Sequence, residues 1–215
     1  VLQRNTQCVA HALKNDLNKI DWCAALLDER LPENRELQII RGSVDHLRAL
    51  LQRTRMHTGR VVLSPGDCDV RALFEQIIRE TPHTDALRIE IDRCDDAPLY
   101  CDPSHVREAL TNLVGNAVEA MRGSGRITLS YVRTAHKASI PVCDDGPGMT
   151  PAAQKRIFEP YYTTKTSGEN FGLGLYYCQN VMNVHEGSIR VSSASGKGCT
   201  FTLIFPLAAQ GRRKL

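Results

Sequence analysis

Long hydrophobic runs are missing from this sequence, and no stretch of its 215 residues approaches the length of a membrane span. Its first residues also lack the features of a secretory signal. We therefore expect a soluble, cytoplasmic segment without membrane contact, which can belong to a longer, membrane-attached parent. A formal charge of +3 is too small to favour nucleic acid as a partner.

Several motifs are missing as well. The eight cysteines form no C-x-x-C pair and no Cys and His cluster at zinc spacing, which favours reduced thiols over metal sites. Neither the G-x-x-x-x-G-K-[ST] loop nor the H-R-D catalytic loop is present. These absences exclude the two commonest frameworks for phosphoryl transfer.

What the sequence does contain begins with two stretches of helical periodicity. The first extends to about residue 29, and the second follows a turn in which Pro32 can end one helix and open the next. Their apolar stripes consist of Val9, Leu13, Leu17, Ile20, Ala24 and Leu27, and of Leu37, Ile40, Val44, Leu47 and Leu51. A single helical hairpin cannot bury both stripes, so we expect two copies to form a dimeric four-helix bundle through residues 1–58.

The rest of the chain alternates between strand and helix patterns. After a polar, basic hinge at residues 53–60, we predict strands at 61–63, 87–91, 126–133, 138–143, 188–192 and 200–205. Helices are predicted at 70–79 and, after a cap at Asp102 and Pro103, up to Met121. Helices set between strands that can pair antiparallel favour an α/β sandwich over residues 61–210, with the sheet on one side. The fold class is therefore α+β, a helical hairpin followed by this sandwich.

The helix that ends at Met121 carries two carboxamides within its apolar pattern. Asn112 and Asn116 are one helical turn apart, so both side chains project from one face and can bind one object together. Such a pair is more often structural than functional when it stands alone. The motifs that follow it in the chain favour a functional role for the pair.

Three motifs follow in order, D-D-G-P-G-M at residues 144–149, F-E-P-Y-Y-T-T-K at 158–165 and F-G-L-G-L at 171–175. With the asparagine helix, they resemble the N, G1, F and G2 boxes of the family that holds gyrase, the Hsp90 chaperone, sensor histidine kinases and MutL. Four boxes in this order rarely occur by accident. The resemblance implies an ATP site on an α/β sandwich, with a mobile lid between the F and G2 boxes.

The resemblance also implies a role for the polar residues of the boxes. Asn116 is a suitable oxygen ligand for Mg²⁺, which takes few protein ligands, and Asn112 faces the phosphates or their water. Asp144 accepts a hydrogen bond from the adenine amino group, which favours adenine over guanine. Asp145 stands where Asn is commoner in the family.

The glycines of the boxes are expected to let the backbone approach the nucleotide closely. Gly146 and Gly148 do so at the base, and the segment Gly172-Leu173-Gly174 does so at the phosphates, where a helix begins. Lys165 can reach the γ-phosphate or remain solvated.

His11 lies in the stretch A-H-A-L-K-N-D-L, on the side of the first helix opposite its apolar stripe. This stretch resembles the H box of histidine kinase dimerisation helices, which implies that His11 is the phosphoacceptor and that Asn15 positions a water for regulator dephosphorylation. Ala12 departs from the family, where an acidic residue commonly follows the histidine. Its absence should slow autophosphorylation by a factor of about a hundred or more, unless the base comes from elsewhere.

Trp22 is the only tryptophan of the chain and falls on the same helix face as His11. It can pack against the second helix or the ATP-binding domain. It can equally anchor a docking partner, because aromatic residues dominate interface hot spots and the family's response regulator docks just below the histidine.

The chain therefore resembles the catalytic core of a sensor histidine kinase of a two-component system. This implies autophosphorylation of His11 from ATP with Mg²⁺, transfer to an aspartate of a separate receiver protein and, through Asn15, a phosphatase role. Two alternatives stay open, a kinase-impaired dimer that binds nucleotide as a phosphotransfer or scaffold protein, and a gyrase-like or MutL-like ATPase. The latter enzymes use Glu where Asn112 stands and lack an H box. The sequence defines neither the stimulus nor the cognate receiver, nor whether transfer occurs within or between protomers.

Overall fold

The computed structural model describes residues 63–82, 85–163 and 172–207, together with Ile20, Leu27, Asn34, Leu37, Ile40 and Val44. The chain divides into two compact units, Val1–Arg60 and Val61–Leu215. In the first unit, Asn34 Oδ1 accepts a hydrogen bond from the Leu37 N–H at 3.0 Å, the type of bond that caps a helix N-terminus. Apart from these six residues, the predicted hairpin lies outside the described residues.

The described part of the second unit contains seven strands and four helices. The strands are β1 (Gly66–Cys68), β2 (Leu87–Cys94), β3 (Leu99–Cys101), β4 (Gly125–Arg133), β5 (Lys137–Asp144), β6 (Ser188–Ser193) and β7 (Cys199–Pro206). The helices are α1 (Val70–Glu80), α2 (Pro103–Ala120), α3 (Pro151–Arg156) and α4 (Gly174–Val184). Seven predicted elements are confirmed to within three residues at either end, namely the five longer strands, α1 and the end of α2. The start of α2 follows directly after the predicted cap at Asp102.

The five longer strands form one mixed sheet in the order β2-β4-β5-β7-β6. Pairs β4–β5, β5–β7 and β7–β6 are antiparallel, as expected, whereas β2 and β4 are parallel. The parallel pair arises because α2 and the short strand β3 lie between β2 and β4 in the chain and form a crossover connection.

Burial alternates along the central strands, which defines one buried face of the sheet. Ile127, Leu129, Ile140, Val142 and Leu203 are at most 2% exposed. Their neighbours in the chain are more exposed, as expected for a pleated strand with one covered face. Helix α1 contacts β2, α2 contacts β4 and β5, and α4 contacts β6 and β7, so a layer of helices covers the sheet on this side.

The first predicted strand, at residues 61–63, is wrong at the one residue that is described. Leu63 is not in a strand, and residues 61 and 62 lie outside the described residues. The strand forms instead at Gly66–Cys68, where β1 pairs antiparallel with β3 in a separate two-stranded sheet. A run of three apolar residues is too short for periodicity to assign.

Candidate functional site

The asparagine helix α2 begins at a buried carboxylate. Asp102 is 4% exposed, and its Oδ1 accepts hydrogen bonds from the Ser104 and His105 N–H groups at 3.0 and 3.1 Å. Pro103 occupies the first turn, which confirms the predicted cap. Burial opposes ionisation of Asp102, but the hydrogen bonds from Ser64, His105 and Ser104 outweigh it and lower the pKa of the carboxyl. The start of α2 is therefore fixed by an ionised cap.

Asn112 and Asn116 lie in the middle of α2 and are both half-buried. Within the described residues, neither carboxamide makes a hydrogen bond to another protein group, so both are available to a ligand. Gly174, the first residue of α4, lies beside this stripe, since a methyl group at Gly174 would be 3.3 Å from Asn112 Oδ1. The structure thus brings together the N box and the G2 box predicted from the sequence.

The N-terminus of α4 has no side-chain cap. Its N-cap is Leu173, which is 9% exposed and makes no side-chain capping bond. The N–H groups of the first helical turn therefore lack a side-chain partner at the cap, and the helix dipole adds positive potential there. This end of α4 can bind an anion such as a phosphate.

Gly172, two residues before this helix, contacts the described part of the F box. Its φ is +64°, and a methyl group there would overlap the carbonyl oxygen of Tyr162, so only glycine fits. The Tyr161 N–H donates to the Gly172 carbonyl oxygen at 3.1 Å. The Arg156 guanidinium lies over the Tyr162 ring, 4.5 Å from its centroid. The described parts of the F and G2 boxes therefore meet.

Asp144 lies at the end of β5, at the opposite end of the site. It is half-buried, and its Oδ1 accepts a hydrogen bond from the Gly146 N–H at 3.0 Å. Burial raises the pKa of this carboxyl, while the hydrogen bonds from the Gly146 and Cys199 backbone oppose the change. A methyl group at Gly146 would lie 2.8 Å from Asp144 Oδ1 and 3.1 Å from Met121 Cγ. Gly146 thus keeps this carboxylate close to the C-terminal end of α2.

Asp145 has a different role from Asp144. Its side chain is exposed, and its Oδ1 accepts a hydrogen bond from the Arg126 N–H at 2.9 Å. This bond secures the start of β4, and an asparagine oxygen could make it equally well. The acidic residue at this position therefore has a local structural function.

The loop that follows Asp144 is held by a turn that sequence reasoning did not connect with the site. A methyl group at Gly148, where φ is +67°, would overlap the Ala194 carbonyl oxygen. The Gly198 N–H donates to the Gly146 oxygen at 2.9 Å, and Ser193 Oγ accepts from the Met149 N–H at 2.9 Å. The only local signal was the pair of glycines in the turn between β6 and β7.

The two ends of the site are separated along α2. Met121, beside Gly146, is nine residues beyond Asn112, which corresponds to about 13 Å along a helix. Asn116 lies between them on the same helix. The structure therefore arranges Asp144, the asparagine stripe and the α4 N-terminus in sequence along α2.

Four predicted residues, His11, Asn15, Trp22 and Lys165, lie outside the described residues. In the described part of the chain, no three His, Cys, Asp or Glu side chains form a metal cluster. No helix described there is long and apolar enough to cross a membrane.

A mixed sheet covered by helices on one face, with this arrangement along α2, defines an α/β domain of the ATP-binding kind. The chain belongs to the family described as histidine kinase-, DNA gyrase B-, and HSP90-like ATPase, whose profile matches residues 101–209.

Similar proteins extend the likeness beyond this domain. The signal transduction histidine-protein kinase AtoS of Escherichia coli K12 is 30% identical over 213 residues, covering 95% of this chain and 35% of AtoS. The sensor histidine kinase ZraS of the same strain is 30% identical over 207 residues, covering 93% of this chain and 44% of ZraS. The chain thus spans less than half the length of these two relatives.

Solved structures show the same fold. The crystal structure of full-length ShkA in complex with AMPPNP matches with a TM-score of 0.81 at 25% identity, over 98% of this chain and 47% of ShkA. Acinetobacter baumannii histidine kinase AdeS matches with a TM-score of 0.62 at 17% identity, over 95% of this chain and 96% of that one. The second likeness concerns the fold alone.

Proposed function

We propose that this chain is the catalytic core of a sensor histidine kinase. It transfers the γ-phosphoryl group of ATP to His11 and then to an aspartate of a separate receiver protein. The observation that carries the proposal is the position of Asn112 against the N-terminus of α4, with Asp144 at the other end of α2. The similarity to AtoS and ZraS over more than nine-tenths of the chain supports the same activity.

At the base end, Asp144 selects the nucleotide. A carboxylate accepts hydrogen bonds only, so it favours the exocyclic amino group of adenine over the oxygen of guanine. Gly148 lets this loop pack closely against the β6–β7 turn, and the Gly198 N–H donates to the Gly146 oxygen, so the turn holds the loop in place. The loop is therefore ready for binding before the nucleotide arrives.

At the phosphate end, three groups converge. The side-chain oxygen of Asn116 is a suitable ligand for Mg²⁺, and Asn112 faces the phosphates. The N–H groups at the start of α4, after Gly172 and Leu173, bind phosphate oxygens. Mg²⁺, when bound, neutralises charge on the phosphates. Lys165 extends this set toward the γ-phosphate.

The first unit supplies the acceptor. We assign residues 1–58 to a hairpin that dimerises as a four-helix bundle, and residues 61–210 to the ATP-binding domain. The helical residues Ile20, Leu27 and Ile40 are 45%, 45% and 42% exposed in the single chain, which favours a second copy as their cover. On this hairpin His11 accepts the phosphoryl group, Asn15 positions water for receiver dephosphorylation, and the receiver docks near His11 and Trp22.

The experiment that tests the proposal is incubation of the purified chain with γ-labelled ATP and Mg²⁺. We expect label on the protein that is acid-labile and base-stable, and its loss in His11→Gln. Ala12→Glu should increase the rate of labelling, because it restores a base beside the acceptor. If the unmutated chain and Ala12→Glu both bind ATP but take up no label, the proposed kinase activity is wrong. If label persists in His11→Gln, His11 is not the acceptor.

A further inference from the structure

Helices α2 and α4 pack antiparallel through a series of specific contacts. Gly174 faces Asn112 at one end. One turn further along α4, the Cys178 thiol donates to the Ala109 carbonyl oxygen at 3.4 Å. Beyond the other end, His185 Nε2 accepts a hydrogen bond from the Asp102 N–H at 3.0 Å. Contacts therefore move toward the start of α2 as α4 proceeds.

Within this series, Tyr177 makes a chain of polar contacts that the proposed reaction does not use. Its side chain is fully buried, and its hydroxyl donates to Glu108 Oε2 at 2.9 Å. The same hydroxyl oxygen lies 2.9 Å from His105 Nδ1. A hydroxyl has one proton, so the second bond requires an N–H at His105 Nδ1 as donor. Burial and the neighbouring Glu108 raise the pKa of Tyr177, so the phenol retains its proton.

These contacts lie directly next to the phosphate end of the site. On α2, Glu108 is four residues before Asn112, so the two side chains share a face one turn apart. On α4, Tyr177 is three residues after Gly174. The Tyr177–Glu108 bond is therefore one helical turn from the contact between Gly174 and Asn112. A slip of either helix along the other would break the bond and move Asn112 relative to the N-terminus of α4.

We propose that Tyr177 is a positioning residue for the phosphate end of the nucleotide site. Its hydrogen bonds to Glu108 and His105 fix the register of α4 on α2, so that Asn112 and the first turn of α4 engage one triphosphate together. Asp144 lies at the far end of α2 and does not depend on this register. The inference rests on the proposed nucleotide binding and adds a residue outside the family boxes to it.

The test compares two nucleotides in Tyr177→Phe, which removes the hydroxyl and preserves the ring. We expect the Kd of AMPPNP with Mg²⁺ to rise about tenfold, because Asn112 and the first turn of α4 are then no longer held in the arrangement that binds the triphosphate. The Kd of ADP should rise less than about threefold, since ADP lacks the γ-phosphate and depends more on the base contacts, which remain. Tyr131→Phe is the matched control. Tyr131 is also fully buried, but it belongs to strand β4, and its hydroxyl makes none of the hydrogen bonds that join α2 to α4.

A second pair of variants changes Glu108, the hydrogen-bond acceptor, and leaves Tyr177 intact. Glu108→Gln retains an oxygen that accepts from Tyr177, and we expect affinities within about threefold of the unmutated chain. Glu108→Leu removes the acceptor and should reproduce the selective loss for AMPPNP. Thermal unfolding of the same samples separates packing from positioning.

Two results would overturn the inference. One is an equal loss of affinity for AMPPNP and ADP in Tyr177→Phe and Glu108→Leu. The other is a lower unfolding temperature with both affinities unchanged, which would make Tyr177 a packing residue alone. If the unmutated chain binds neither nucleotide, the proposed function itself fails, and that result is visible before any variant is measured.

Discussion

His185 accepts a hydrogen bond at Nε2 from the Asp102 N–H at 3.0 Å, while its Nδ1 lies 2.7 Å from the Val181 carbonyl oxygen. A carbonyl requires a donor, so Nδ1 carries the proton and the ring is neutral. Burial lowers the pKa of His185, and the His105 ring also lowers it. The hydrogen bond to Val181 and the charge of Asp102 raise the pKa but do not outweigh burial. This imidazole therefore ties the end of α4 to the start of α2 only in its uncharged form.

The first prediction concerns the pH dependence of stability. Since the pKa of His185 is lower in the folded chain than its usual value of 6.5, the unfolded chain binds more protons at this group as pH falls. Its contribution to stability is complete above about pH 6.5 and decreases below it. His185→Gln retains an acceptor without titrating, so its free energy of unfolding should fall less steeply between about pH 7 and 5. The exposed His136→Gln is the control, and equal slopes for His185→Gln and the unmutated chain would refute the assignment.

Asp144→Asn should lower the affinity for nucleotide and raise the thermal stability of the domain. Gly146 already uses one oxygen of this side chain, so the variant presents an amide N–H₂ to the adenine amino group. We expect nucleotide affinity to fall about tenfold to a hundredfold, measured with a fluorescent ATP analogue. Because burial raises the pKa of Asp144, its charge opposes folding near neutral pH, and the variant should unfold at a higher temperature. Asp145→Asn keeps its bond to the Arg126 N–H and should change neither quantity.

Gly148→Ala should destabilise the domain strongly. The residue needs φ of +67° and has no room for a methyl group beside the Ala194 oxygen. We expect the free energy of unfolding, measured with urea, to fall by about 2–4 kcal/mol. Gly196→Ala, with φ of +75° and nothing within 4 Å, should cost only about 1–2 kcal/mol for the backbone conformation. If the two variants cost the same, crowding at Gly148 is not the cause.

Asp102 should be more sensitive to loss of its carboxylate than an ordinary helix cap. Oδ1 caps α2, whereas Oδ2 accepts from the Ser64 N–H at 2.7 Å. Asp102→Ala removes both and should cost about 2–4 kcal/mol in urea denaturation. Asp102→Asn preserves the cap but not the second acceptor, so its stability should lie between that of Asp102→Ala and that of the unmutated chain. An asparagine variant as stable as the unmutated chain would show that the Ser64 bond contributes nothing.

Local patterns predicted the parts of this fold that depend on neighbouring residues. Asp102 and Pro103 predict the start of α2, because a capping side chain and the fixed φ of proline both act within one helical turn. The long strands follow from alternation, which one buried sheet face imposes. The three-residue strands β1 and β3 were not predicted, since such short segments carry too little periodicity.

The predicted boxes identified the residues that can contact the nucleotide, but not the long-range hydrogen bonds that hold those residues in place. The Tyr177–Glu108 hydrogen bond joins residues 69 positions apart in the chain, and the Met149–Ser193 bond joins residues 44 apart. Such contacts depend on how α2, α4 and the sheet pack, which no local pattern contains. The identity of Tyr177 inside an apolar helix pattern was the one signal available, because a buried tyrosine normally needs a partner for its hydroxyl.

The open sheet has a consequence for behaviour at high concentration. Its outermost described strands are β2 and β6, and an unpaired strand edge can recruit strands from other molecules. Along β2, the exposed side chains include Arg88, Glu90, Asp92 and Arg93, and the register shifts between Ile91 and Arg93. Charge and a bulge both make a second strand difficult to add there. This edge is therefore protected against growth into an intermolecular sheet, so crowding of many copies need not lead to aggregation through β2.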